Sequence, residues 1–320
     1  MPVVHSQRFN PPWPFTQGHF STLYPYLLRE KPRHAYTRER ICTPDHDFFD
    51  VDYLRNGHSR LAVICHGLEG SSGSQYVAGL VEELKGNWDV AAINYRSCSG
   101  ELNLTATLYH SGFTADLHLL IDREENTYHE IALIGFSLGG NMVLKYTLDG
   151  YNDLSEKIKT VTAVSVPCDL EHSGYRLLKW HNKLYVRAFL NTLKEKMEAK
   201  YAQGFSEIQI DLLGKTKSLF DFDEYFTGPL HGFGDALGYY RTCSSRPLLN
   251  RVAIPTLILN ARNDSFLSPE CFPEEEAHEN DQLYLLAPAY GGHVGFSAWS
   301  SFPYWSEKVI ALFLEEKALN

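Results

Sequence analysis

The 320-residue sequence predicts a mostly parallel, doubly wound α/β sheet, with an antiparallel hairpin at its start and a mainly helical insertion late in the chain. Three observations predict it. Six short apolar runs are continuous rather than alternating, as in strands buried on both faces. Amphipathic helical patterns separate them, which is the rhythm of a parallel sheet with crossover helices. That rhythm stops between about Asp169 and Leu248, where only helical and glycine-bearing aromatic patterns are found.

Residues 1–38 read as an arm. Pro11, Pro12, Pro14, Pro25 and Pro32 argue against long helices there. Trp13, Phe15, Phe20, Leu23, Tyr24 and Tyr26 are too apolar for a free tail, so the arm is expected to wrap the body. Glu39–Thr43 and Phe48–Leu54, with Pro44 and Asp45 between them, read as a hairpin. The buried strands come next: Leu61–Cys65, Val90–Asn94, Glu130–Ile134, Val161–Val166, Thr256–Asn260 and Gln282–Leu286. Helical spacing marks Gln75–Leu84, Ala115–Ile121, Met142–Leu148 and Trp305–Leu314. In the insertion, Tyr175–Ala202 reads as one long amphipathic stretch, and Phe220–Tyr240 as an aromatic one. The expected organisation is therefore an arm (1–38), a first core part (39–168), a helical insertion (169–247) and a second core part (248–320).

Composition sets outer limits. Apolar residues make up 44% and charged residues 21%, which is ordinary globular usage. Acidic side chains outnumber basic ones 39 to 29, giving a net charge of −10. Nucleic acid is excluded as a partner on that balance. The six cysteines have neither metal-finger nor redox spacing and read as reduced. Met1–Pro14 lacks a charged start followed by an apolar run, and no apolar run reaches the ~20 residues of a membrane span. The expected location is cytoplasmic. No metal or organic cofactor is implied.

The chemistry-bearing motif is Gly135-Phe136-Ser137-Leu138-Gly139, followed by Gly140. It lies between a predicted strand and a predicted helix, the context that makes G-x-S-x-G a nucleophile elbow. Side chains at Gly135 and Gly139 would strike neighbouring backbone in so tight a turn. The helix N-terminus behind Ser137 offers N–H groups to developing negative charge. A serine nucleophile needs a base. His293, in Gly291-Gly292-His293-Val294-Gly295 after the last strand, is the candidate, with His66 the main rival among the 14 histidines. The base needs a carboxylate to hold its tautomer. Asp264 comes after Thr256–Asn260 and gives the chain order Ser, Asp, His; Asp169, after the preceding strand, is the competitor. Oxyanion donors are expected from the backbone N–H of Leu138 and, in His66-Gly67-Leu68-Glu69-Gly70, of Leu68. His66, Gly67 and Phe136 are expected near the substrate.

Together these segments resemble the YheT-like branch of the α/β-hydrolase superfamily, which is related to eukaryotic abhydrolase-domain lipases and esterases. The resemblance runs through Gly18-His19-Phe20-Ser21-Thr22, His66–Gly70, Asn94–Glu101, Gly135–Asn141, Phe226–Phe233 with Tyr239-Tyr240, and Gly291–Phe296. Ser97 stands where the branch usually has glycine, and Asn263-Asp264-Ser265 where it usually has Asp-Asp-Pro. The resemblance implies the α/β-hydrolase fold and activity on carboxylic esters, acylglycerols and phospholipids among them. Eukaryotic relatives carry an N-terminal membrane anchor, which this chain lacks, implying a soluble bacterial form.

The leading expectation is a serine esterase or lipase acting on a small-molecule ester, lipid included. Thioesterase, amidase and acyltransferase chemistry use the same residues, although no His-x-x-x-x-Asp occurs in the chain. Dehalogenase and epoxide hydrolase chemistry on this fold needs an aspartate at the elbow. A ligand-binding protein on a retained hydrolase fold is the non-enzymatic alternative. The insertion reads either as a surface helical hairpin or as a cap that sets acyl length. In the second reading Lys179, Lys183, Arg187, Lys194, Lys196 and Lys200 face anionic head groups in peripheral membrane contact.

Overall fold

The computed structural model describes residues 9–149, 154–299 and 302–318. The start of the expected arm, residues 1–8, lies outside the described residues, as do residues 319–320. Strands β1 (Thr37–Cys42), β2 (Phe48–Leu54), β3 (Arg60–Cys65), β4 (Asp89–Asn94), β5 (Glu130–Phe136), β6 (Ile158–Val164), β7 (Thr256–Leu259) and β8 (Leu283–Leu286) form one sheet. Their order is β1-β2-β4-β3-β5-β6-β7-β8. The β1–β2 and β2–β4 pairings are antiparallel, and the others are parallel.

The continuous apolar runs are strands covered on both faces. Along β3 and β5, Leu61, Val63, Ile131 and Leu133 point into one apolar layer, while Ala62, Ile64, Ala132 and Ile134 point into the other. The first layer packs on α3 (Ala115–Glu124) and α4 (Leu138–Leu148), the second on α2 (Gln75–Leu84) and α11 (Trp305–Ala318). Each of the Val, Leu and Ile side chains contributes on the order of 1.5–3 kcal/mol when fully buried. Between β6 and β7 the chain is helical: α5 (Leu170–Leu177), α6 (Lys183–Ala202), α7 (Leu219–Phe222), α8 (Gly228–Leu230) and α9 (Ala236–Cys243), with short tight turns. Helix α10 (Glu274–Glu279) lies between β7 and β8.

Two departures from the expected elements have identifiable causes. The arm contains α1 (Gly18–Leu28) despite Pro25 in its interior. Proline cannot bond the Ser21 carbonyl one turn back; Ser297 Oγ donates to that oxygen instead, at 2.8 Å. Phe15 is fully buried, but Trp13 and Tyr26 are 78% and 69% exposed, so only part of the arm's apolar surface is covered. The expected continuous Tyr175–Ala202 helix is broken between Leu177 and Lys183. Buried Asn182 breaks it, because its Nδ2 donates to the carbonyls of Arg176 (3.1 Å) and Ser265 (2.9 Å). The Arg176 carbonyl is thereby satisfied without further helix.

Candidate active site

Parallel strands β3, β5, β6, β7 and β8 deliver their C-terminal ends to one rim of the sheet, where ligands bind in open α/β sheets. Ser137 comes directly after β5, in the middle of that rim, and is the N-cap of α4 with φ 52° and ψ −117°. This is a strained conformation for a non-glycine residue. The turn is tight enough to admit no Cβ at its ends. A Cβ on Gly135 would meet the Gly139 carbonyl, and one on Gly139 would meet the carbonyls of Cys65 and His66. The Ser137 N–H donates to Val164 O at 2.8 Å, which ties the elbow to β6.

His293 lies in the loop after β8. Its Nε2 is 2.9 Å from Ser137 Oγ, and its Nδ1 is 2.8 Å from Asp264 Oδ2. The Asp264 carboxylate is fully buried, and its Oδ1 accepts from Phe266 N–H at 2.9 Å. The Phe266 ring stacks on the His293 imidazole at a centroid distance of 4.2 Å. Ser137, Asp264 and His293 thus form one hydrogen-bonded chain. Asp169 is elsewhere: it N-caps α5 and bonds His172.

The His293 loop is held by distant residues. Its His293 N–H donates to Thr22 Oγ1 at 2.8 Å, its Gly292 N–H to Asn263 Oδ1 at 2.9 Å, and its Val294 N–H to Ser165 Oγ at 2.9 Å. Ser21 Oγ donates to Gly291 O at 2.8 Å. A Cβ on Gly295 would meet the Ser21 carbonyl, and one on Gly292 the Gly18 carbonyl. Helix α1 is therefore seated directly on the histidine loop, which accounts for Gly18, Ser21 and Thr22 in the arm segment. Nothing in the local sequence of Gly291–Phe296 names these partners; the glycine in the arm is the only available hint.

The loop after β3 is equally braced. Gly67 N–H donates to Tyr76 Oη at 2.9 Å and Glu69 N–H to Tyr109 Oη at 2.7 Å, on either side of Leu68. Glu69 has φ 55°, and its carboxylate pairs with Lys196 of α6 at 2.8 Å. His66 is fully buried, with Nδ1 bonded to Gly67 O at 2.7 Å and Nε2 accepting from Tyr95 N–H at 3.3 Å. Burial pushes its pKa down to about 3, so it is neutral and acts as a brace within the loop. Gly67 lies against the elbow, where a Cβ would come within 3.3 Å of Ser137 Cβ. Phe136 is buried against Tyr76.

A cavity of about 140 Å³ opens on Ser137. Leu68, Leu138, Leu193, Met197, Phe226 and Leu230 supply much of its apolar wall, so α6 and the segments after it roof the serine. None of His66, Gly67 and Phe136 lines it. Polar groups interrupt the apolar wall, Ser111, Asp223 and His231 among them. Burial pushes the Asp223 carboxyl up to about 6, against hydrogen bonds from Thr227 and Tyr240 that lower it. Burial likewise holds His231 below the usual imidazole range. Asn141, one turn into α4, clips both sides of the roof, donating to Ser111 O (3.0 Å) and Cys243 O (2.7 Å). Among the described residues no group of three His, Cys, Asp or Glu side chains is disposed to hold a metal ion.

The Asn94–Glu101 segment serves the fold. Buried Arg96 bonds Asp116 of α3 and Asp45 and Asp47 of the β1–β2 turn, and Ser97 has φ 63°, where glycine is the unstrained residue.

The alpha/beta hydrolase fold family matches residues 62–297. The chain belongs to this family. YheT of Escherichia coli (strain K12) is 36% identical over 300 residues, covering 91% of this chain and 87% of its own. Phospholipase ABHD3 of Homo sapiens is 27% identical over 331 residues, covering 98% and 80%. A Monoacylglycerol lipase of Saccharomyces cerevisiae is 29% identical over 272 residues, covering 80% and 59%. Among solved structures, the Pyrococcus furiosus esterase Pf2001 aligns with a TM-score of 0.60 at 19% identity, over 92% of this chain and 98% of that one, which is likeness of fold. The α/β-hydrolase relatives of this chain are thus of esterase and lipase type.

Proposed function

We propose that the chain is a serine hydrolase of carboxylic esters that works through an acyl-enzyme, with residues 169–247 as a cap over the acyl site. The observation that carries this reading is the Asp264–His293–Ser137 chain, with contacts of 2.8 and 2.9 Å, opening on an apolar cavity. In the proposed cycle His293 Nε2 takes the Ser137 proton as Oγ attacks the acyl carbonyl. The Nδ1–H donates to Asp264, which stabilises the imidazolium that forms. The Leu68 and Leu138 N–H groups hold the oxyanion, the second at the positive end of α4. The imidazolium then protonates the leaving alkoxide. A water activated by His293 releases the acid and restores Ser137. The esterase- and lipase-type relatives favour ester over thioester or amide substrates.

The test is turnover of p-nitrophenyl esters from acetyl to palmitoyl by wild type and Ser137→Ala. Wild type is expected to turn over, with the variant slower by about 10³-fold or more. An active Ser137→Ala variant, or a folded wild type that neither turns over nor reacts covalently with an activated phosphonate, overturns the proposal.

A further inference from the structure

Half of the six basic residues expected to face lipid turn inward. Lys194 Nζ donates to Thr216 O at 2.6 Å, Lys196 pairs with Glu69, and Lys200 is fully buried, with its Nζ donating to Asn103 O at 3.2 Å and to Thr105 O. What stays exposed is the N-terminal end of α6 and the turn before it. Trp180 is 79% exposed and Leu184 77%, with Lys179, Lys183 and Arg187 exposed beside them.

A second apolar surface adjoins this one. On α1, Leu27 and Leu28 are 66% and 69% exposed, and Phe20 and Leu23 are exposed on the same helix. The two surfaces meet at His19, whose ring is 5.6 Å from that of His181 and stacks on Tyr185 at 5.8 Å. Trp299, 61% exposed, extends the α1 side through ring contacts with Tyr24 and Phe15. From Tyr185 the packing continues inward to Phe266 and then to His293. Leu177, three residues before Trp180, lines the cavity over Ser137. The apolar face thus adjoins the pocket and the residues that hold His293.

Its charge is unlike that of the rest of the molecule. The chain carries 39 acidic side chains, yet residues 9–29, 172–194 and 282–299 contain none. Residues 172–194 contain five basic ones. No carboxylate pairs with Lys179, Lys183 or Arg187 among the described residues. A protein with a net charge of −10 is repelled from anionic surfaces unless one face is locally cationic. Exposed Trp and Leu flanked by Lys and Arg is the composition that settles at a bilayer interface, with the apolar groups at head-group depth. Each basic residue near an anionic leaflet adds attraction that salt screens.

We propose that the face built from α1, the Trp180 turn and the N-terminal end of α6 docks on an anionic phospholipid bilayer, bringing the pocket mouth to membrane-borne ester substrates. The delivery of substrate rests on the hydrolase reading; the docking itself does not.

The experiment is co-sedimentation with vesicles of phosphatidylcholine alone and of phosphatidylcholine mixed with phosphatidylglycerol, at low and high salt. Wild type is compared with Lys179→Glu/Lys183→Glu and with Trp180→Ser/Leu184→Ser. All three proteins are also melted and assayed on a soluble acetyl ester. The expected result is binding to the mixed vesicles that high salt weakens. Each double variant is expected to lose about tenfold or more in that binding, with melting unchanged. Absence of binding, equal binding to both vesicle types, or variants that bind like wild type overturns the docking proposal. Because the soluble ester reports the active site alone, vesicle binding without ester turnover leaves docking standing and removes the hydrolase reading. Turnover without vesicle binding does the reverse.

Discussion

The two loops that meet at Ser137 Oγ are built on opposite plans. The elbow is largely local: its strain at Ser137, the close approach of Gly135 to Gly139 and its helix N-cap lie within six consecutive residues, Gly135–Gly140. Its outside contacts, Gly139 against Cys65 and His66 and Ser137 N–H to Val164 O, are with the backbone of neighbouring strand ends. The His293 loop borrows its shape. It hangs on Thr22, Ser21, Asn263 and Ser165, the first of them 271 residues away. The difference shows that a strained turn can be encoded locally when backbone-to-backbone contact is the constraint. The glycine-rich loop closes on itself through Phe296 N–H to Gly291 O at 2.7 Å, but its position over Ser137 follows from the distant groups that satisfy its other N–H groups.

Two substitutions test that contrast, and a third probes the roof beside it. The largest effect is expected from Gly139→Ala, which drives a Cβ into the backbone carbonyls of Cys65 and His66. Backbone cannot yield as a side chain can, so folded yield and melting temperature should fall together, by on the order of 3 kcal/mol or more. A variant that melts like wild type would show that the elbow is looser than its contacts imply. Next, Thr22→Val removes the acceptor for His293 N–H at nearly constant volume. Losing one such bond costs about 1–3 kcal/mol. Spent on loop position, it should lower kcat about tenfold with little change in KM, and Thr22→Ser should restore it. An unchanged kcat would mean that the arm merely covers the loop.

The smallest effect lies outside both loops, in the roof. Asp223 is held protonated in the folded state up to about pH 6, above its ordinary carboxylate range near 4. Its folded pKa is raised, so its contribution to stability is full below the unfolded value and is lost as pH climbs through about 6. Asp223→Asn keeps a hydrogen-bond acceptor for Tyr240 but cannot ionise. Melting should therefore be higher than wild type at pH 8, by on the order of 1 kcal/mol, and alike at pH 4. Equal melting at both pH values would show that cavity solvent already carries the charge.

The strand series and the elbow were readable because both depend on short-range patterns. Val63 and Ile64, or Leu133 and Ile134, are adjacent apolar residues facing opposite layers, and that shows as a continuous run. Helix α6 was only half readable. Its amphipathic pattern gave its C-terminal end at Ala202, but not its start after the break at Asn182, because the oxygen that makes the break worthwhile belongs to Ser265, 83 residues later. The lysines of α6 look equivalent along the helix, yet Lys183 faces solvent and Lys200 is buried under Asn103. The expected oxyanion donors Leu68 and Leu138 line the cavity, whereas none of His66, Gly67 and Phe136, expected near the substrate, does so, and His66 lies behind the loop it braces.

By itself the amino-acid sequence determined the features that chain neighbours impose: strand and helix periodicity, the glycines that permit a turn, and the chain order of a serine, an acid and a histidine after strands β5, β7 and β8. Only the tertiary structure decided the features that arise where distant segments meet. It set which polar groups hold the histidine loop, which lysines face water, and how helix α6 roofs the serine. The physical reason is that periodicity is imposed by backbone geometry within a few residues. The partner of a buried N–H or ammonium is instead whichever acceptor packing brings within about 3 Å.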